Sequence, residues 1–150
     1  MIKKKSENVL RGKKARAAGG RFEAKVRADL EKLGWIVSKW MNTVEYEKEG
    51  NIGKLVPAKR KYNPFLKALG IGTGFPDFVA FRRVDYGKHE VIGLEVKANG
   101  YLDPKEKGMC EWLIMHKVFS MILIARKGKK RGQIEYEDFE KKYKLKGNKT

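Results

Sequence analysis

The sequence predicts an α/β fold, with a mixed central sheet of four or five strands and helices on its faces. Three observations predict it. One is an apolar stripe at helical spacing, Phe22, Val26, Leu30 and Leu33. The second is a pair of strand-like runs, Asp77–Arg83 and Glu90–Lys97, joined by Asp85-Tyr86-Gly87. The third is a helical segment from Pro104 to about Lys117 followed by the strongly apolar run Phe119–Arg126.

The elements follow in order. Residues 1–19 are basic and poor in large apolar side chains, and Gly19-Gly20 closes them, so they read as a flexible arm, partly helical from Arg11 to Ala18. The striped helix then stops at Gly34. Trp35–Trp40 reads as a short strand, with Trp35, Val37 and Lys39 on one face. Residues 41–74 open acidic with Glu45, Glu47 and Glu49. No acid then appears from Asn51 to Pro76, while Lys54, Lys59, Arg60, Lys61 and Lys67 accumulate. A short helix over Pro64–Leu69 and a pliable loop at Gly70, Gly72 and Gly74 are expected there.

After the two motif strands, Asp103 is the expected N-cap of the 104–117 helix. That helix should carry the chain in a right-handed crossover, setting strand 119–126 parallel to strand 90–97. Residues 128–132 form a basic turn, and Gln133–Phe139 reads either as an edge strand or as a short helix. The organisation expected is an arm at 1–19, one domain at 20–140 and a basic tail at 141–150, without internal repeats.

Composition narrows the function. With 150 residues, 41% of them hydrophobic, the chain can build one core. No run approaches the roughly 20 apolar residues that cross a bilayer, and nothing resembles a secretory signal, so a cytoplasmic protein without a membrane partner is expected. The one cysteine, Cys110, excludes an internal disulfide and reads as a small core residue. His89 and His116 are too isolated for a zinc site. The formal net charge of +17 points to a polyanion, nucleic acid before a membrane surface, although solubility alone can also maintain such a charge. Lys59, Arg60 and Lys61, beside Tyr62 and Phe65, suit phosphate contact with stacking, or else form a solvated loop. Lys127, Lys129, Lys130 and Arg131 form a second basic set, suited to phosphate without base reading.

Glu95 and Lys97 share one face of their strand, opposite Ile92, Leu94 and Val96. With Asp85-Tyr86-Gly87 as a three-residue loop, Val84 faces Lys88, and counting back sets Asp77 opposite Glu95. Opposed carboxylates lie about 5 Å apart at Cβ and repel each other. A bound cation keeps both ionised, and Mg²⁺ suits oxygen ligands that leave room for water and phosphate. Lys97 on the same face can orient or help deprotonate a metal-bound water and offset charge on a reacting phosphate.

Pro76-Asp77 followed by Glu95-x-Lys97 after a hairpin resembles the PD-(D/E)xK nuclease superfamily. Gly20-Arg21-Phe22-Glu23, running on to Gly34-Trp35, resembles the opening helix of archaeal Holliday junction resolvases. Gly74-Phe75-Pro76-Asp77 with Gly100-Tyr101-Leu102 resembles the virus-type replication-repair nuclease domain; where that domain carries a glutamine in the next helix, Glu106 stands nearby. The resemblance covers roughly residues 20–40 and 70–126. It implies a restriction-endonuclease-like sheet and catalytic Asp77, Glu95, Lys97 and Glu23. It also implies a metal held by Asp77, Glu95, the Val96 backbone carbonyl and Glu23, as Mg²⁺ with Mn²⁺ able to substitute. The activity implied is structure-selective DNA cleavage at Holliday junctions or other branched DNA, by a homodimer in repair or recombination. The alternatives are a restriction-like or viral nuclease acting on flaps, ends or single strands, and a basic nucleic-acid-binding protein without catalysis.

Overall fold

The structure is a computed structural model, and it describes residues 2–46, 53–65, 67–70 and 74–143. Its centre is a five-stranded mixed sheet with helices on its faces, which is the α/β class expected. The strands are β1 (Ile36–Lys39), β6 (Phe78–Asp85), β7 (Lys88–Val96), β8 (Met121–Lys127) and β9 (Ile134–Asp138), in that spatial order. Only β7 and β8 pair in parallel, and helix α2 (Pro104–Met115) connects them. The two readings of Gln133–Phe139 both hold in part, since β9 is an edge strand and α3 (Phe139–Tyr143) follows it.

Helix α1 spans Ile2–Lys32, 31 residues. Residues 2–19, expected as a flexible arm, therefore continue the striped helix without a break at Gly19-Gly20. Lys, Arg and Ala favour helix strongly enough together to offset two glycines, each costing about 1 kcal/mol. Phe22, Val26 and Leu30 are buried against Phe78, Ala80, Ile92 and Leu94 on one face of the sheet. Leu33 belongs to the expected stripe but is 62% exposed. The helix has already ended at Lys32, so Leu33 falls in the turn that reverses the chain.

Helix α2 covers the other face through Met109, Cys110 and Leu113, packed with Phe119, Ile122 and Ile124. Asp103 caps it as expected, and the cap is reciprocal: Asp103 Oδ1 accepts from Glu106 N, while Asp103 N donates to Glu106 Oε2. Cys110 is a buried core thiol, and burial pushes its pKa up.

The described residues of the stretch 41–74 form two antiparallel strand pairs. Strand β2 (Asn42–Tyr46) pairs with β3 (Gly53–Pro57), and β4 (Lys61–Asn63) pairs with β5 (Ala68–Gly70). The helix expected over Pro64–Leu69 is not formed, because Ala68 and Leu69 pair with Asn63 and Tyr62. Of the pliable glycine loop, Gly72 lies outside the described residues. Residues 144–150 of the expected tail also lie outside them, while Lys141–Tyr143 belong to α3.

The motif hairpin keeps the expected register by a different turn. Phe78 faces Leu94 and Arg83 faces His89, as counting from a three-residue loop requires. Asp85 nonetheless pairs with Lys88, with an irregularity between Arg83 and Asp85. Tyr86-Gly87 thus forms a two-residue turn, with Gly87 at φ 70°. The extra residue at Val84 compensates for the shorter turn.

Candidate active site

The topology sets several strand ends along one edge of the sheet. The start of β6 meets the end of β7, because the two are antiparallel. The end of β8 lies beside the end of β7, because those two are parallel. Lys39, at the end of β1, pairs with Phe78 on the same edge.

Asp77 and Glu95 meet there, each carboxylate accepting from a backbone N–H of the facing chain. Asp77 N donates to Glu95 Oε2 at 3.1 Å, and Val96 N donates to Asp77 Oδ2 at 2.8 Å. The Asp77 carbonyl accepts from Trp40 N at 3.1 Å, so β1 fixes the same residue from its other side.

Two glycines make this close packing possible. A Cβ on Gly74 would sit 2.3 Å from the Trp40 carbonyl oxygen, and one on Gly93 would sit 2.9 Å from Pro76 Cγ. Gly74 thus lets the chain pass against β1 and β2 just before Asp77, and Gly93 seats Pro76 on β7.

The electrostatics are unusual for so few residues. Glu95 is 5% exposed, the one buried charged side chain among the described residues. Burial, then the charge of Asp77, push its carboxyl up to about 9 against the pull of Lys97. Asp77 is also raised, by burial first and by the charge of Glu23, against the Val96 N–H. The two titrate as a pair that resists double ionisation. They form a cradle of hard oxygens with excess negative charge, which fits Mg²⁺.

Lys97 closes the site. Its Nζ lies 3.6 Å from Glu95 Oε1 and 2.5 Å from Glu106 Oε1. Burial disfavours its charge, but the Glu106 hydrogen bond and the charges of Glu95, Glu106 and Asp77 outweigh that and raise its pKa. Lys97 is therefore held as a cation. In that state it can offset charge on a reacting phosphate.

Glu106 has a double function that neither of its two partners reveals alone. One carboxylate oxygen caps α2, and the other holds Lys97. The capping pattern Asp103-x-x-Glu106 was legible in the sequence, but the reach to Lys97 was not.

Glu23 stands at the edge of this group. Its Oε2 accepts from Lys39 Nζ at 3.0 Å, and its charge reaches Asp77. Among the described residues no set of three or more His, Cys, Asp or Glu side chains forms a metal cluster. Lys39 is a site cation that the sequence reading missed. A lysine alternating with Trp35 and Val37 on a buried strand face was the available signal.

Lys59 and Arg60 are exposed on the connection between β3 and β4, while the side chain of Lys61 lies outside the described residues. Lys127, Lys129, Lys130 and Arg131 stand at the end of β8 and in the turn after it, on the same sheet edge as Asp77. Among the described residues no helix is long and apolar enough to cross a membrane. No family model, curated protein or solved structure matches the chain.

Proposed function

We propose that the chain is a Mg²⁺-dependent DNA endonuclease that hydrolyses phosphodiester bonds and selects DNA structure over base sequence. The observation that carries this reading is the pair of hydrogen bonds that sets the two carboxylates side by side, Asp77 N to Glu95 Oε2 and Val96 N to Asp77 Oδ2, with Lys97 held as a cation on the same sheet edge.

A bound Mg²⁺ would be held by Asp77 and Glu95, beside the Val96 backbone, and would supply a water activated at neutral pH. The chain's own residues do the rest. The backbone N–H groups of Asp77 and Val96 fix the carboxylates in advance, so little reorganisation is needed when substrate arrives. Lys97 faces the charge that accumulates on the phosphate oxygens as the bond breaks. Glu106 keeps Lys97 from collapsing fully onto Glu95. Lys39, tied to Glu23, can contact a neighbouring phosphate.

Resemblance to resolvases favours branched DNA and a homodimer that cuts two strands in a cytosolic repair or recombination setting. A nuclease for flaps, ends or single strands would use the same site. The test is a gel assay with purified chain, Mg²⁺ or EDTA, and labelled four-way junction, flap, single strand and duplex. Paired, Mg²⁺-dependent nicks on the junction support the resolvase form. Cutting of flaps, ends or single strands keeps the nuclease and removes the resolvase. Tight binding with no Mg²⁺-dependent cutting of any substrate would leave a basic binding protein instead.

A further inference from the structure

A cleft of about 450 Å³ opens between α1 and the β8–β9 turn, lined by Phe22, Lys25, Lys127, Lys129, Lys130 and Arg131. Several cations of this fold are matched with acids. Arg27 pairs with Glu31, Arg82 with Glu90, Arg126 with Glu135 and Glu137, and Lys142 with Glu137. Among the described residues no acid pairs with any of the five cleft cations. Lys127 Nζ lies 5.7 Å from the centre of the Phe22 ring, a neutral, apolar neighbour. Five like charges around one concavity repel one another and favour a multivalent anion between them.

Two further observations give the anion a direction. The cleft begins beside the carboxylate site: Lys127 N donates to the Ala98 carbonyl, and Lys97 N donates to the Ala125 carbonyl. One strand step, about 4.8 Å, separates the two backbones. On the other side, Arg11, Lys14, Ala18, Arg21 and Lys25 recur at intervals of three and four along α1. They therefore share one face of the helix. No residue from Ser6 to Arg21 is buried, so the sheet covers none of this stripe. From Arg11 to Lys25 it extends about 21 Å at 1.5 Å per residue. That equals the rise of about six nucleotides of one duplex strand.

We propose that the cleft and the α1 stripe form one phosphate track, holding the backbone of a nucleic-acid strand beyond the bond to be cut. The proposal rests on the nuclease reading for the position of that bond. It assigns Lys25, Arg21, Lys14 and Arg11 to substrate binding and explains the length of α1, of which the sheet packs only the last third. The occupant is a polyanionic chain, because a regular row of solvated cations suits repeated charges along a strand. The contacts are to phosphate and carry no base sequence.

The test is fluorescence anisotropy with the full chain in EDTA, where cutting cannot occur, on a labelled duplex over a range of salt. One variant combines Lys25→Ala, Lys130→Ala and Arg131→Ala. The control combines Lys32→Ala, Arg83→Ala and Lys88→Ala, which are exposed at the opposite end of the sheet. Equal melting temperatures would show both variants folded. The slope of log K against log salt should become shallower by about 2.7 in the cleft variant, from about 0.9 per lost phosphate contact. It should stay at the wild-type value in the control. Equal slopes for the two variants would overturn the track. So would binding of phosphatidylserine vesicles in place of the duplex, with the same three residues required. Loss of slope in the cleft variant, in a protein that never cuts with Mg²⁺, would support the track and remove the nuclease.

Discussion

The carboxylate site and the basic cleft share one edge of one sheet, yet they handle charge in opposite ways. Asp77, Glu95, Lys97 and Glu106 are wholly or partly buried, hydrogen-bonded to one another or to backbone, and of mixed sign. Lys25, Lys127, Lys129, Lys130 and Arg131 are exposed and of a single sign. Charges in a dry, fixed setting act strongly and at one position, which suits a reacting bond. Solvated charges act weakly and are screened by salt, which suits holding a long polyanion. The two regions should therefore fail separately: damage to the first should remove chemistry and leave affinity, and damage to the second should do the reverse.

The largest expected effect breaks the first region alone. Asp77→Asn and Glu95→Gln keep shape but remove the charge that holds Mg²⁺. Each should lower single-turnover cleavage by at least about 10³-fold. Duplex affinity in EDTA should hold or rise, since a negative charge is lost beside a polyanion. If affinity collapsed along with cleavage, the two regions would not be separable and the comparison would be wrong.

Next come Lys97→Met and Glu106→Gln, which divide the site internally. Lys97→Met removes the cation and should cost about 10²–10³-fold in cleavage, the range for one preorganised electrostatic contact. Glu106→Gln leaves Lys97 in place but weakens its tether. Its cost should be smaller, about tenfold, because the amide still accepts a hydrogen bond. Single-turnover rates at saturating enzyme give both values. A loss for Glu106→Gln as large as that for Lys97→Met would make Glu106 a direct participant.

The pH response separates the regions without touching chemistry. Glu95 has its pKa raised from 4.5 to about 9 in the fold. Between those values the folded chain, free of metal, binds more protons than the unfolded chain. Stability should therefore fall as pH rises through that window. At pH 8 in EDTA, Glu95→Gln should melt several degrees above the wild type, and the gap should close near pH 5. Mg²⁺ should narrow it at pH 8 by stabilising the ionised pair. Thermal melts at the two pH values decide this. A gap that does not change with pH would mean that Glu95 is not the group under strain.

What the sequence revealed divides along similar lines. Asp77 and Glu95 were legible as partners because strand alternation and hairpin counting need only local residues. The counting gave the right register although the turn itself differs, since the irregularity near Val84 and the two-residue turn compensate. The role of Glu106 toward Lys97 was not legible, because it depends on how α2 is set against the sheet. Nor were the paired strands between Asn42 and Gly70. Their strands have three to five residues, too few to show a period, and Val44 is buried only through packing with the α2 side of the sheet. Leu33 shows the reverse failure, where a good period ran one residue past the helix that produced it.

The smallest effect tests whether α1 acts as a rigid extension of the cleft. Gly19 and Gly20 are the weakest helix formers at the point where α1 leaves the sheet, and a Cβ at either would meet nothing within 4 Å. Replacing both with alanine should stabilise the helix by about 1–2 kcal/mol. The gain should appear as added helicity by circular dichroism and, more weakly, in the melting temperature. If the phosphate track needs the stripe in line with the cleft, stiffening that junction should tighten duplex binding slightly. The affected contacts are those of Arg11 and Lys14, beyond the glycines, so the salt slope should steepen while cleavage per bound complex stays the same. Weaker binding with the same gain in helicity would mean that the strand is reached by bending at Gly19-Gly20. The glycines would then be a joint between two binding segments, and the stripe and the cleft would grip different parts of the nucleic acid.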